Sequence, residues 1–351
     1  WQPVIFHVIA VGCGVTIVSR GVTAGIERAN KVLIPTLFLL LLIAVARAVT
    51  LPGAGRGLSF LFNPDLSALG NYRTWLEALT QSAWSTGAGW GLILAYGIYV
   101  RRDEDVVTNA TTIGLGNNAA SLLAGMAVLP TAFAILSTNE ALDAMASGNV
   151  GLTFIWIPQL FAQVPAGRLF LTVFFLALFC AALSSLIAMI ELGTRVLIDT
   201  GITRRTAVRL VGAATVVFGI PSAVSLAVFE NQDWVWSLGL MVNGLFIAFA
   251  AIQYGVGRFR DEFVSTVSDR FWIRIFYGWV LKYLVPVEFV VMFSWWMYQA
   301  VTVYDPDGWW NPIRTYSVGT CLLQWGVALT LMFCLNRRLA AASVRGQNAA
   351  L

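Results

Sequence analysis

The residues able to do chemistry are polar side chains set inside long apolar runs: Gln81, Ser85, Thr86, Asn117, Asn118, Ser121, Ser184, Ser185, Glu191, Asn243 and Glu288. Most offer neutral oxygen, and hydroxyl, amide and carbonyl oxygens suit a hard monovalent cation such as Na⁺, whereas soft metals favour Cys or His. For any one serine, a hydrogen bond between helices, worth around 1 kcal/mol, explains the residue as well. The combination at Ala181 to Met189 says more. Positions 181, 184, 185 and 188 share a helix face by the three-and-four spacing, so the Ala181 carbonyl and the Ser184 and Ser185 hydroxyls can converge, with Met189 beside them as an apolar contact.

Acid-base or metal catalysis has little to work with. The one histidine, His7, stands in an apolar run where a packed or interfacial role suits it, and there is no nucleophile-base pair, metal cluster or phosphate loop. Cys13, Cys180, Cys321 and Cys334 are far apart and lack metal-ligand spacing, which predicts buried reduced thiols and no disulfide framework. The sequence reads as a non-enzyme.

The element that must position these groups runs from Trp75 to Arg102. It is long enough to cross a bilayer at about 1.5 Å per residue, yet Ser85 to Gly91 carries three alternate glycines, each weakening a helix by roughly 1 kcal/mol. Two readings stay open: an unwound turn, tolerated at membrane depth only where its free backbone groups meet protein, water or ligand, or a fully helical, close-packed glycine face.

Hydrophobic residues make up 58% of the chain and charged residues 11%, with a mean hydropathy of +0.76. Those values define a polytopic membrane protein. Apolar runs at about Val4 to Val18, Val32 to Leu51, Trp75 to Val100, Val106 to Leu136, Leu169 to Ile198, Ala207 to Val228, Trp234 to Val256, Val280 to Tyr304 and Tyr316 to Leu335 predict nine spans. Seventeen of the 22 Lys and Arg residues fall on one side if the first span runs inward, leaving Arg47, Arg56, Arg73, Arg168 and Arg314 on the other. This positive-inside bias predicts a cytoplasmic C-terminus. The net charge of +4 sits in short clusters between spans, so nucleic acid is not an expected partner; the lipid bilayer is.

Two connections exceed simple turns, and both are expected outside the cell. Residues 51–72 hold Pro52, Gly53, Gly55, Gly57 and Asn63-Pro64 and read as a structured loop. Residues 137–167 suggest short helices at Ala141 to Met145 and Gly151 to Phe161. Asp261 to Phe276 suits an amphipathic helix on the membrane surface.

In their order, several motifs resemble the neurotransmitter:sodium symporters from about Ile17 onward: Gly25-Ile26-Glu27-Arg28 with Lys31 to Pro35, the Ser85 to Gly91 break, Tyr96-Gly97-Ile98-Tyr99, Asn117 with Ser121, Phe154 to Pro158, Ser184-Ser185, and Gln232-Asp233-Trp234. The resemblance implies an all-α, LeuT-like inverted-repeat fold in which substrate and Na⁺ bind at the midplane, beside broken helices. Against the family's twelve spans this chain matches the fourth to twelfth, about nine transmembrane helices in a single transporter domain over 1–351. Together with Trp1 in place of Met, that sets the expectation of an N-terminally truncated fragment without the first three helices.

Residue by residue, the resemblance implies oxygens from Ser85 and Asn117 in one Na⁺ site, and from Ala181, Ser184 and Ser185 in a second. Trp84, Ser85, Gly87, Trp90, Ser185 and Met189 would line the substrate pocket; both tryptophans replace the family's commoner Phe. Gln81, Ser85, Asn117 and Ser121 match the positions around chloride. Chloride-independent relatives look to place a carboxylate at the Ser121 position, so a neutral serine leaves the two cations in need of an anion. Asp233 matches an outer gate acid, and Asp199, with Tyr99 nearby, an inner one.

The expected function is sodium-coupled symport of an amino acid or related small zwitterion, dependent on chloride, in the plasma or inner membrane. A non-transporting receptor or scaffold on the same fold, and a proton-coupled amino-acid permease, are the alternatives. The oligomeric state is not readable from the sequence.

Overall fold

The structure is a computed structural model and describes all residues except 88, 102, 103, 164, 265–275 and 351. The expected surface helix at Asp261 to Phe276, together with Arg102, Arg270 and Arg274 of the charge pattern, therefore falls largely outside the described residues. Among the described residues there are helices, turns and bends without strands. Among the described residues eight helical stretches are long and apolar enough to cross a membrane. The expected third span, Trp75 to Val100, is not among them. It is two short helices, α4 (Tyr72–Ser85) and α5 (Leu92–Gly97), joined by non-helical backbone.

The chain divides into two compact units. The first comprises Trp1–Ser19, Tyr72–Thr111 and Ala188–Leu351. In it α1 (Gln2–Ser19) packs along α10 (Arg204–Val224). Small residues allow the approach: a Cβ on Gly212 would meet the Val15 side chain, and one on Gly219 would run into the His7 ring. His7 is accordingly packed, its Nε2 3.3 Å from the Thr215 and Val216 carbonyls. The long helix α11 (Leu226–Phe259) touches α10, α12 (Val285–Gln299) and α13 (Val318–Ala350). Trp234, Val235, Leu238, Ala300 and Cys321 form the core there, with Trp296, Tyr316 and Trp325 packed around them. The outward face of α10 is apolar, with Phe218 75% and Val224 71% exposed, as a lipid-facing helix requires.

The second unit comprises Arg20–Asn71 and Thr112–Ile187. Gly21, at φ 89°, leads through a π-helical turn (Val22–Glu27) into α2 (Arg28–Val49). Ala44 and Val45 of α2 meet Ala127 of α6 (Val106–Ile135). The structured loop at 51–72 holds α3 (Ala54–Phe62) and a 3₁₀ turn (Leu66–Gly70). Gly57 lies so close to Leu129 and Pro130 that any Cβ would clash with their backbone. Two short helices in the 137–167 connection match expectation. α7 (Thr138–Ala146) opens with a Ser137-Glu140 capping box, and a π-helical turn at Leu152–Trp156 continues into α8 (Ile157–Ala162). Ala132, Phe133, Ala141 and Leu160 close a small core around them. The cysteines are all free; Cys180 and Cys321 are buried as expected, while Cys13 and Cys334 are exposed.

Candidate functional site

The break between α4 and α5 settles the two readings of the glycines. Gly87, Gly89 and Gly91 take φ of 69°, 84° and 77°, a left-handed region open to Gly and costly for other residues. The last turn of α4 is closed by Thr86, whose N–H and hydroxyl both reach the Ser82 carbonyl, at 3.1 and 2.8 Å. Two tight turns follow, Gly87 N–H to Trp84 O and Trp90 N–H to Gly87 O, each 3.1 Å. They bring the Trp84 and Trp90 rings edge to face with centroids 5.7 Å apart. α5 then starts from the Gly91 carbonyl, which accepts from Ala95 N–H at 3.0 Å.

The unwound segment is held from α11. Asn243 donates its side-chain N–H to the Gly89 carbonyl, and Gly89 sits so near Leu240 that a Cβ would collide with the Leu240 carbonyl and lie 2.9 Å from Gly244 N. Higher on α4, Thr80 Oγ1 accepts from Trp296 Nε1 at 3.2 Å.

Trp84, Trp90 and Met189 line a cavity of about 980 Å³ inside the first unit, with Asp233, Trp236 and Asn243 on its α11 side. The lining is largely apolar, as pockets for small organic ligands generally are, with a few polar groups to set orientation. Gly87 adds no bulk; a Cβ there would only reach van der Waals contact with the Trp90 ring.

The residues expected to form the second cation site lie on α9 (Gly167–Asp199). Ser184 and Ser185 both turn their hydroxyls to the Ala181 carbonyl, at 2.7 and 3.2 Å. Three hard oxygens therefore gather within one helical turn, the donor chemistry Na⁺ takes. The residues expected around the other cation and chloride lie in pairs. Gln81 and Ser85 are one turn apart on α4 in the first unit, and Asn117 and Ser121 one turn apart on α6 in the second. Ser85 Oγ also approaches the Ser82 carbonyl at 3.5 Å.

On the expected inner side, Asp199 pairs with Arg195 of its own helix at 2.6 Å. Tyr99 bonds elsewhere: its hydroxyl donates to Glu191 Oε1 at 2.8 Å. Glu191, fully buried, also takes both arms of Arg204, which binds the Val18 carbonyl as well. Sequence reasoning noted Glu191 as a polar residue in a span and gave it no role. The available signal was an acid in an apolar run, which demands a partner.

The glycine-broken helix lining a cavity, among eight apolar helical stretches long enough to cross a membrane in the described residues, defines a multi-pass membrane protein. A family model described as the Sodium:neurotransmitter symporter family matches residues 4–344, and the chain belongs to that family, one of transporters and not of enzymes. It is 40% identical over 185 residues to an uncharacterised sodium-dependent transporter of Methanocaldococcus jannaschii, covering 52% of this chain and 38% of that one. It is 28% identical over 309 residues to an uncharacterised sodium-dependent transporter of Bacillus subtilis, covering 83% and 66%. The human sodium- and chloride-dependent GABA transporter 2 is 26% identical over 329 residues, covering 89% and 53%. Among solved structures, MhsT in complex with L-phenylalanine matches with a TM-score of 0.69 and 29% identity over 82% of this chain and 66% of that one. The chain thus spans from about 38% to 66% of the length of these relatives.

Proposed function

We propose that this chain forms part of a sodium-coupled symporter for an amino acid or related small zwitterion, working by alternating access. The observation that carries the reading is the break after Ser85, left-handed at Gly87, Gly89 and Gly91, with Trp84 and Trp90 facing the cavity beside Met189. A break exposes backbone donors and acceptors at membrane depth, where a ligand can complete them. Trp84, Ser85, Gly87, Trp90, Ser185 and Met189 would receive the substrate. Ser85 and Asn117 would serve one Na⁺, and Ala181, Ser184 and Ser185 a second. The inward Na⁺ gradient drives uptake if the ions bind better to the substrate-loaded, occluded state than to the empty one.

Chloride dependence is the finer part of the reading. Gln81, Ser85, Asn117 and Ser121 carry no charge of their own to balance two cations, and a chloride among them would supply it. The named dependence of the GABA transporter relatives on sodium and chloride supports this. Asp233 would close the cavity on its outer side, and Tyr99 and Asp199 would belong to the inner gate. In this reading the chain is a single transporter domain in the plasma or inner membrane, with 51–72 and 137–167 outside and the C-terminus in the cytoplasm.

The test is radiolabelled uptake by the protein in its complete cellular form, in proteoliposomes under an inward Na⁺ gradient, with chloride or gluconate on both faces. Uptake that needs both ions is expected. Uptake that ignores chloride would remove the anion site alone, and no Na⁺-driven uptake across a broad amino-acid panel would turn the assignment to a receptor or scaffold.

A further inference from the structure

We infer that Asn243 of α11 is the positioning residue that holds the unwound segment in its substrate-receiving shape. This rests on the transport reading above. Breaking the helix leaves the Gly89 carbonyl without its helical partner, and beside a largely apolar cavity it needs another donor. Among the described residues, the group that meets it is the Asn243 side-chain N–H.

Shape reinforces the bond. Gly89 fits against the Leu240 to Gly244 stretch because neither Gly89 nor Gly244 has a side chain: a Cβ on Gly244 would rest 3.5 Å from Gly89 Cα, and one on Gly89 would strike the Leu240 carbonyl. The segment is thus keyed to α11 at one residue, two positions after Gly87 and one before Trp90. Since Trp90 N–H bonds to Gly87 O, fixing Gly89 also fixes the Trp84-Trp90 ring pair. Asn243 lines the same cavity as those rings. It therefore sets where the packed indole pair stands on the cavity wall that a substrate meets, which makes it a determinant of affinity and size selectivity without requiring that it touch the substrate.

Asn243→Asp keeps the shape and removes the donor, and Asn243→Ala tests the same point without introducing a charge that could hinder folding. Asn243→Gln restores a donor on a longer arm. Hydrogen-deuterium exchange of the purified protein would follow the amides of residues 85–92, with those of α13 as an internal control. The expected result is exchange about tenfold faster in 85–92 for the Asp or Ala variant, the effect of one lost hydrogen bond, with α13 unchanged and partial recovery in Gln. In proteoliposomes, the half-saturating substrate concentration should rise with little change in maximal rate per folded transporter. A merely structural residue would instead lower the amount of folded protein and leave half-saturation alone.

Unchanged exchange in 85–92, or exchange that rises equally throughout the protein, would overturn the assignment. If the parent protein shows no Na⁺-driven uptake, the transport reading fails while the exchange result still decides the role of Asn243.

Discussion

Glu191 accepts both terminal nitrogens of Arg204, at 2.9 and 2.6 Å, although the two residues lie on different helices and the carboxylate is fully buried. With Tyr99 donating to the same carboxylate, the pair ties α9, α10 and the chain just beyond α5 together on the expected cytoplasmic side. A buried carboxylate needs such partners, because an isolated charge away from water neutralises or drives rearrangement.

Removing the guanidinium should therefore cost more than an ordinary surface substitution. Arg204→Gln is expected to destabilise the protein by on the order of 3 kcal/mol, reduced to the extent that the partly exposed Arg204 is screened by water. Arg204→Gln with Glu191→Gln should recover most of that loss, since no charge is left buried. Unfolding temperatures in detergent for the single and double variants would check this, and additive losses would show that the two side chains do not act as a pair.

Two of the left-handed glycines, Gly87 and Gly89, should not be equivalent. Gly87→Ala places a methyl in ordinary van der Waals contact with the Trp90 ring and carries mainly the left-handed penalty, about 1–2 kcal/mol. Gly89→Ala adds a collision with the Leu240 carbonyl and should cost roughly 3 kcal/mol or more. Thermal stability of the two variants side by side would check the order; equal losses would mean that Gly89 is not keyed to α11.

That contrast also shows what the sequence could and could not reveal. Three alternate glycines in an apolar run raised an unwound turn as one of two readings, and only the backbone, left-handed at all three, decides against a helical glycine face. The Ser184-Ser185 turn was legible from helical spacing. The cluster of Glu191, Arg204 and Tyr99 was not, since its members lie on separate elements, Tyr99 being 92 positions from Glu191, and no periodicity encodes which helices meet. α3 was hidden for another reason: Gly53, Gly55 and Gly57 suggested a loop, while Gly57 is there for a close approach to α6. Asn243 was visible as a polar residue in a span, but its partner is a backbone carbonyl freed only by the fold.

The capping box of α7 gives a pH dependence. Hydrogen bonds from the Ser137 hydroxyl and N–H hold the Glu140 carboxyl below its ordinary value of 4.5. A lowered folded pKa means a contribution present above the unfolded value and lost as pH falls through the folded one. Amide protection in residues 138–146 should therefore be full at neutral pH and weaken in acid. In Glu140→Gln it should be lower at neutral pH and nearly flat with pH; a variant that keeps the parent's acid response would rule out Glu140 as its source.

The cation assignment on α9 can be tested apart from the substrate. Ser185→Ala removes one of the three oxygens gathered at residues 181, 184 and 185, and should raise the half-saturating Na⁺ concentration roughly tenfold, about 1.4 kcal/mol. Ser185→Thr, which keeps the hydroxyl, should stay near the parent. Uptake measured against Na⁺ at saturating substrate would show it, and a Thr variant as impaired as the Ala variant would mean that packing, not oxygen, is what position 185 provides.

The anion assignment makes the most distinctive prediction, because it concerns charge and not shape. If Ser121 stands where a carboxylate would otherwise balance the cations, Ser121→Glu supplies a fixed negative charge in place of a mobile one. Uptake by this variant should proceed in gluconate, and added chloride should not stimulate it, since a second negative charge beside the first is repelled. Ser121→Gln, of similar size and neutral, should still need chloride. Should both variants lose uptake while remaining folded, the residue would be a packing element of α6, and charge compensation would have to come from elsewhere in the protein.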